Sequence, residues 1–153
     1  DILGDERSSD LAALRPVIEG LREFLPDLTI HAGELKGPES IREALELNPQ
    51  SIGHGIRSVE DSKVIDTVLS KGITLEICPT SNSMLIEDTL RGYAKHPMLT
   101  LSKMGMKIVL GTDDPEIFGT TIQKEYDFAA ALVVDVDRIH RQAEVRFQEI
   151  LKR

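Results

Sequence analysis

Histidine and carboxylate groups recur in this chain where short apolar runs stop. His31-Ala32-Gly33-Glu34 follows Leu28-Thr29-Ile30, and Ser51-Ile52-Gly53-His54-Gly55 closes the next run with an imidazole between two glycines. Ile73-Thr74-Leu75-Glu76-Ile77 then leads into Cys78-Pro79-Thr80-Ser81-Asn82, and Lys107-Ile108-Val109-Leu110 into Gly111-Thr112-Asp113-Asp114-Pro115. His31 and Asp113 offer the nitrogen and oxygen donors that suit a catalytic zinc with an open position. Glu34, held near such a metal without binding it, can shuttle protons. His54 could orient or deprotonate a metal-bound water. Asp113 and Asp114 point different ways, so one can bind metal while the other faces a substrate. Acids crowded beside a cation have perturbed pKa values, as active sites often require. Gly33 lets the backbone come close to a ligand.

Each group taken singly has a plainer role. A lone histidine is an ordinary loop or core residue, and Asp113-Asp114-Pro115 suits a turn followed by a helix cap. Cys78 reads as a small buried hydrophobe rather than a nucleophile, because no basic group lies near it in sequence. His96 and His140 fall in helical or loop scaffold and read as structural. What outweighs the plain reading is that four motifs occupy equivalent positions. In parallel α/β folds, that edge of the sheet is where ligands bind.

The elements that must present these groups alternate. Ile2 and Leu3 end a strand before Gly4. Ser8, Ser9 and Asp10 can cap a helix whose stripe is Leu11, Leu14, Val17, Ile18, Leu21 and Leu25, with Pro16 kinking it or marking its start. Pro38 opens a second helix with Ile41, Ala44 and Leu45 inward, and Asn48-Pro49 stops it. Ser58 can cap a third, which carries Val64, Ile65, Val68 and Leu69, gains from Glu60 or Asp61 at its positive end, and stops at Lys71-Gly72. Residues 83 to 96 read as a loop with a short helix. Pro97 starts another helix with Met98, Leu101 and Met104, ending at Gly105. Ile122, Tyr126, Ala129, Ala130 and Val133 form the next stripe. A last helix from about Asp137 is expected to turn Ile139, Ala143, Phe147, Ile150 and Leu151 inward. Strict strand-helix alternation predicts an α/β fold with a parallel sheet and right-handed crossovers.

Composition narrows the function classes. At 153 residues with 41% hydrophobic content, the chain can bury one core. A net charge of -8 argues against nucleic acid as a partner, though not against a small nucleoside. No apolar run approaches membrane-spanning length, so no membrane partner is expected. The single cysteine fits a reducing, cytoplasmic setting. The chain has no initiator Met and opens as if at the end of a strand, so it is expected to begin inside a larger fold.

Together these residues resemble the adenosine deaminase family of zinc-dependent (β/α)8-barrel enzymes. Asp1 to Glu6 matches the end of the fourth barrel strand, His31 to Glu34 the fifth, Gly53 to Gly55 the sixth, Cys78 to Asn82 the seventh and Thr112 to Pro115 the eighth. The resemblance implies hydrolysis of adenosine to inosine and ammonia, with Zn2+ as cofactor and a purine nucleoside as substrate. It implies that His31 and Asp113 are zinc ligands and that Glu34 protonates the ring nitrogen beside the attacked carbon. His54 would orient the zinc-bound water and take its proton. Asp114 would hydrogen-bond the hydroxide and the purine, and the backbones of Gly4 and Gly33 would lie against the base.

One departure matters. The family takes two more zinc ligands from a His-x-His pair on the first barrel strand, and the only histidines here are 31, 54, 96 and 140. The chain therefore resembles a single partial barrel domain, residues 1–153, with strands 4 to 8 and without the N-terminal half. It is expected to be inactive alone and to pair with that half or with itself. Deamination of adenine or another 6-aminopurine, or a non-catalytic half-barrel, are the competing readings. The other fold of zinc nucleobase deaminases is disfavoured, because its His-x-Glu and Pro-Cys-x-x-Cys signature is absent.

Overall fold

Four strands form one sheet in the order β1-β2-β3-β4: β1 (Thr29–Ala32), β2 (Ser51–His54), β3 (Thr74–Ile77) and β4 (Lys107–Leu110), every neighbouring pair parallel. The structure, a computed structural model, describes residues 2, 5–8, 10–24, 27–86 and 96–152. Gly4 and Leu3 lie outside the described residues, as does most of the loop expected over 83 to 96. Sequential order with a helix between neighbours is the winding of a (β/α) barrel wall rather than of a doubly wound sheet. Ile2 continues the wall beyond β1. Its N–H donates to the Thr29 carbonyl at 2.9 Å, and His31 N–H donates to the Ile2 carbonyl at 3.1 Å.

Register explains the core. Ile30, Ile52, Leu75 and Ile108 stand side by side across the sheet, and all four are buried. Residues in register on parallel strands share a face, so this row forms one continuous apolar ridge. It joins one cluster with Ile41 and Ala44 of α2 (Pro38–Leu45), Val64 and Val68 of α3 (Ser62–Lys71), and Met98 and Leu101 of α5 (Met98–Lys103). The row one residue earlier, Thr29, Ser51, Thr74 and Lys107, is polar and lies on the other face.

The helices mostly follow the sequence. α1 (Leu11–Gly20) is capped by Asp10, whose carboxylate accepts from Ala13 N–H at 3.0 Å, and it carries Pro16 within it. Among the described residues of its expected stripe, only Leu11 and Ile18 are buried. Gly72 ends α3 in the left-handed conformation, as expected. The cap of α3, however, is Asp61 rather than Ser58, because a 3-10 turn over Ile56–Glu60 intervenes. α4 (Pro79–Leu85) starts directly after β3, and a short α6 (Pro115–Phe118) directly after the Asp pair. α7 (Ile122–Ala131) follows, capped by Thr121, and then α8 (Val136–Leu151), capped by Asp135.

α8 corrects the expected inward face. Ile139 is buried, but Phe147, Ile150 and Leu151 are exposed, and Arg146 is buried instead. The inward line runs 139, 142, 146. Gln142 accepts from the Ile108 N–H at 3.1 Å, and Arg146 makes a bidentate pair with Asp27 at 2.5 Å for each bond. Both partners lie at the β4 edge and the start of β1, and they rotate the helix away from its apolar stripe.

Candidate active site

Each strand end is shaped by its neighbours in sequence. After β1 the chain turns at Gly33, with φ +73, where an added Cβ would lie 2.3 Å from Ile41 Cδ1. A side chain there would be strained by the backbone and would strike the core. At Gly53 an added Cβ would come within 3.0 Å of the His31 ring, so this glycine makes room for His31 within the sheet. His54 and Asp113 leave their strands with φ 63 and 54. Left-handed backbone at a non-glycine costs on the order of 1–3 kcal/mol and concentrates at functional sites.

These turns converge. The His31 and His54 rings lie 4.9 Å apart. His54 Nδ1 is 3.3 Å from Glu34 Oε1. Donor atoms of Glu34, His54 and Asp113 all fall within 4.8 Å of one another. His31 stands beside this cluster, not in it, with its Nδ1 3.4 Å from the Ile2 carbonyl. A ring nitrogen turned to a backbone carbonyl is how ligating histidines are commonly oriented. Asp114 occupies the N-cap position of α6 without a capping bond from its side chain, and both it and Asp113 are exposed. Gly33 N–H is engaged by Glu6 and Ser40.

Asn82, quoted in its motif without a role, is a site residue that sequence reasoning missed. Fully buried on α4, it donates from Nδ2 to Glu34 Oε1 at 2.6 Å, and the same atom lies 2.9 Å from His54 Nδ1. Buried Glu125 of α7 fixes the first turn of that helix. It accepts from Thr80 N–H at 3.0 Å and from the Thr120 hydroxyl. Nothing local in the sequence marks Glu125, since its partners lie in two other segments.

The electrostatics set the two central groups apart. Burial pushes the Glu34 carboxyl up to about 7; the Asn82 hydrogen bond works against this, and the charges of Asp113 and Glu6 add to it. Burial, with His31 beside it, pulls His54 down to about 3. At neutral pH the site thus holds a carboxyl that is partly protonated next to an uncharged imidazole. Burial favours the uncharged form of both groups, which lie 3.3 Å apart. Cys78 is buried, with its thiol pushed up to about 12, as a packing residue would be. His140 pairs with Glu144 on exposed α8, and His96 is buried at the start of α5.

The donor set is of the kind that holds a divalent transition metal: imidazole nitrogen and carboxylate oxygen, with one histidine already oriented from behind. His31 and Asp113 offer such donors, and among the described residues the donor atoms that lie close enough together to share one ion are those of Glu34, His54 and Asp113.

Residues 3–143 match the family model described as adenosine deaminase. Adenine deaminase of Sinorhizobium fredii is 35% identical over 148 residues, covering 94% of this chain and 45% of that protein. Adenine deaminase of Agrobacterium fabrum is 39% identical over 131 residues, covering 85% and 40%. Among solved structures, adenine deaminase from Arthrobacter aurescens superposes with a TM-score of 0.74 at 26% identity, covering 86% of this chain and 40% of that one. Arabidopsis ADAL complexed with GMP shares the fold, with a TM-score of 0.78 at 23% identity over 92% and 42%. The chain spans less than half the length of these relatives. Among the described residues no helix is long and apolar enough to cross a membrane.

Proposed function

The chain belongs to the adenosine deaminase family, and from that membership we propose that it forms the last strands of a complete (β/α)8 barrel that removes the 6-amino group of a purine by hydrolysis. The matched relatives named adenine deaminase favour the free base, adenine, over the adenosine first expected. The observation that carries the reading is the juxtaposition of Glu34, near pKa 7, with neutral His54 and Asp113 on one rim.

Attack on an aromatic ring carbon costs ring stabilisation, so a nucleophile and a ring-nitrogen acid must act together. Glu34 supplies the acid. Its Oε1 is held by Asn82, which leaves Oε2 to give a proton to the ring nitrogen beside the attacked carbon. His54 turns Nδ1 toward Glu34 Oε1; the tautomer with its proton on Nδ1, facing that oxygen, leaves Nε2 unprotonated to orient the attacking water and accept its proton. Asp114 hydrogen-bonds the water and the base from the exposed side of the rim, and the backbone of Gly33 flanks the purine. His31 and Asp113, with ligands from the rest of the barrel, would hold a zinc ion, whose chemistry would be to lower the pKa of a water towards about 7. His54 passes the water's proton to the amino group, which leaves as ammonia as the new hydroxyl becomes a carbonyl and its proton returns to Glu34.

The test is to incubate the complete barrel with adenine and with adenosine, and to measure ammonia together with hypoxanthine or inosine. Release from adenine is the expected result. Release from adenosine alone would move the substrate to the nucleoside, and release from neither would sink the reading. Asp113→Asn should lower bound zinc and activity together.

A further inference from the structure

Glu6 takes no part in the chemistry above, yet it is buried, at 6% exposure, directly behind the loop that carries Glu34. Four consecutive backbone amides converge on its carboxylate. Gly33 N–H donates to Oε1 at 2.5 Å, and Glu34, Leu35 and Lys36 N–H donate to Oε2 at 3.2, 2.7 and 2.9 Å. The buried Ser40 hydroxyl, from the first turn of α2, donates to Oε1 as well. Successive amides curled about one point form an anion-binding nest. Here the anion is a side chain from the preceding strand end, 27 to 30 residues away in sequence.

Resting on the reading that Glu34 is the general acid, we infer that Glu6 is a positioning residue for it: its carboxylate fixes the 33–36 loop, and so the direction of the Glu34 side chain. Both oxygens are needed. Oε1 serves Gly33 and Ser40, while Oε2 serves the other three amides. An amide in place of the carboxylate keeps the volume but turns an NH2 group onto one of these sets, so donor meets donor and the loop must move. A shift of about 1 Å in an acid can cost on the order of 10²-fold in rate. Substrate and metal contacts made by other strand ends are left as they are.

The test compares Glu6→Gln, Glu34→Gln and the double variant in the complete barrel, measuring kcat, KM and bound zinc with adenine. Glu6→Gln should lower kcat by about 10- to 100-fold while zinc stays bound, with KM raised by a smaller factor because Gly33 of the same loop flanks the purine. Because Glu6 acts through Glu34, the double variant should be no slower than Glu34→Gln alone. A role confined to general stability would make the two losses multiply, and that result overturns the inference, as does near-normal kcat in Glu6→Gln or a loss seen only in zinc or KM. Should Glu6→Gln fail to fold, Ser40→Ala removes one donor from the same carboxylate and is judged by the same rule. A slow Glu34→Gln beside a normal Glu6→Gln removes only the positioning role. Normal turnover in Glu34→Gln removes the acid itself, and with it the reading on which this one rests.

Discussion

Where the strands begin, Asp27 and Arg146 bury opposite charges against each other in a bidentate pair, and the pairing raises the Arg146 pKa further. Where the strands end, Glu34 and His54 are also buried and adjacent, but each is pushed toward its uncharged form. Burial is common to both regions, so the difference is one of pairing. Arg146 is a permanent cation and Asp27 answers it in full. At the rim the charges nearest Glu34 include two carboxylates, Asp113 and Glu6, which oppose its ionisation. One end of the sheet uses charge to hold the last helix, and the other keeps charge movable.

The comparison breaks first at Glu34. In the complete barrel, Glu34→Gln should keep fold and zinc but lower turnover by about 10²–10⁴-fold, the usual loss for one general acid. Steady-state kinetics with bound zinc measured alongside would check it, and near-normal turnover would remove the distinction between the two ends. Arg146→Met should do the reverse. It strands Asp27, and removing one partner of a buried pair costs about 3–5 kcal/mol. Asp27 keeps 18% of its side-chain surface exposed, so the loss should fall at the low end of that range. Urea unfolding would measure it, and adding Asp27→Leu should recover most of it.

The rim was legible because its groups sit where apolar runs stop, a local pattern that parallel topology turns into a cluster. His31, Glu34, His54 and Asp113 needed only the strand ends to be read correctly. Glu6 was not legible, because its partners are 27 or more residues away and an acid near a strand end looks like any solvated loop residue. Asn82 was visible as part of a motif, but its bridge to Glu34 and His54 exists only once β1, β2 and α4 meet. On α8, periodicity marked an apolar stripe at Phe147, Ile150 and Leu151. It carried no information about Asp27, whose pairing with Arg146 turns a neighbouring face inward.

Acid sharpens the comparison. His54 is held near pKa 3 against an ordinary value of 6.5, so from pH 6.5 down to 3 the unfolded chain binds the extra proton and stability falls. Glu34 is held near 7 against an ordinary 4.5, so from pH 7 down to 4.5 the folded chain binds the extra proton and stability rises. Between 4.5 and 6.5 the two effects oppose each other. His96 is then the group that tips the slope. Burial lowers it to about 4, and its Nδ1 accepts from Met98 N–H at 3.2 Å. His96→Asn can keep that acceptor without titrating. Between pH 7 and pH 5 the parent chain should lose about 2 kcal/mol more than the variant, from a charged histidine that the fold excludes. Urea unfolding at the two pH values would check it; parallel losses in both proteins would mean that His96 ionises freely in the folded state.

The smallest effect concerns backbone strain away from the rim. Besides His54 and Asp113, two described non-glycine residues adopt the left-handed conformation: Asn48, with φ 49, and Val133, with φ 62, just past the end of α7. The geometry there is a Schellman ending. Val133 N–H donates to the Ala130 carbonyl at 2.9 Å, and Val134 N–H reaches back to Ala129 at 3.1 Å. Glycine is the usual residue at that position, and a β-branched side chain is among the least suited to it. Sequence periodicity placed Val133 in the helical stripe because no glycine marks the stop. Its side chain is 79% exposed, so truncation gives up little burial. Val133→Gly should therefore stabilise the chain by roughly 1 kcal/mol, the left-handed strain relieved less the added freedom of glycine in the unfolded state. Thermal and urea unfolding would register the gain, with turnover of the complete barrel unchanged. At His54 the same strain accompanies the aiming of a ring at Glu34 and His31. His54→Gly should therefore relieve it only with loss of turnover, and a His54→Gly barrel as active as the parent would show that the two strained turns do not differ in purpose.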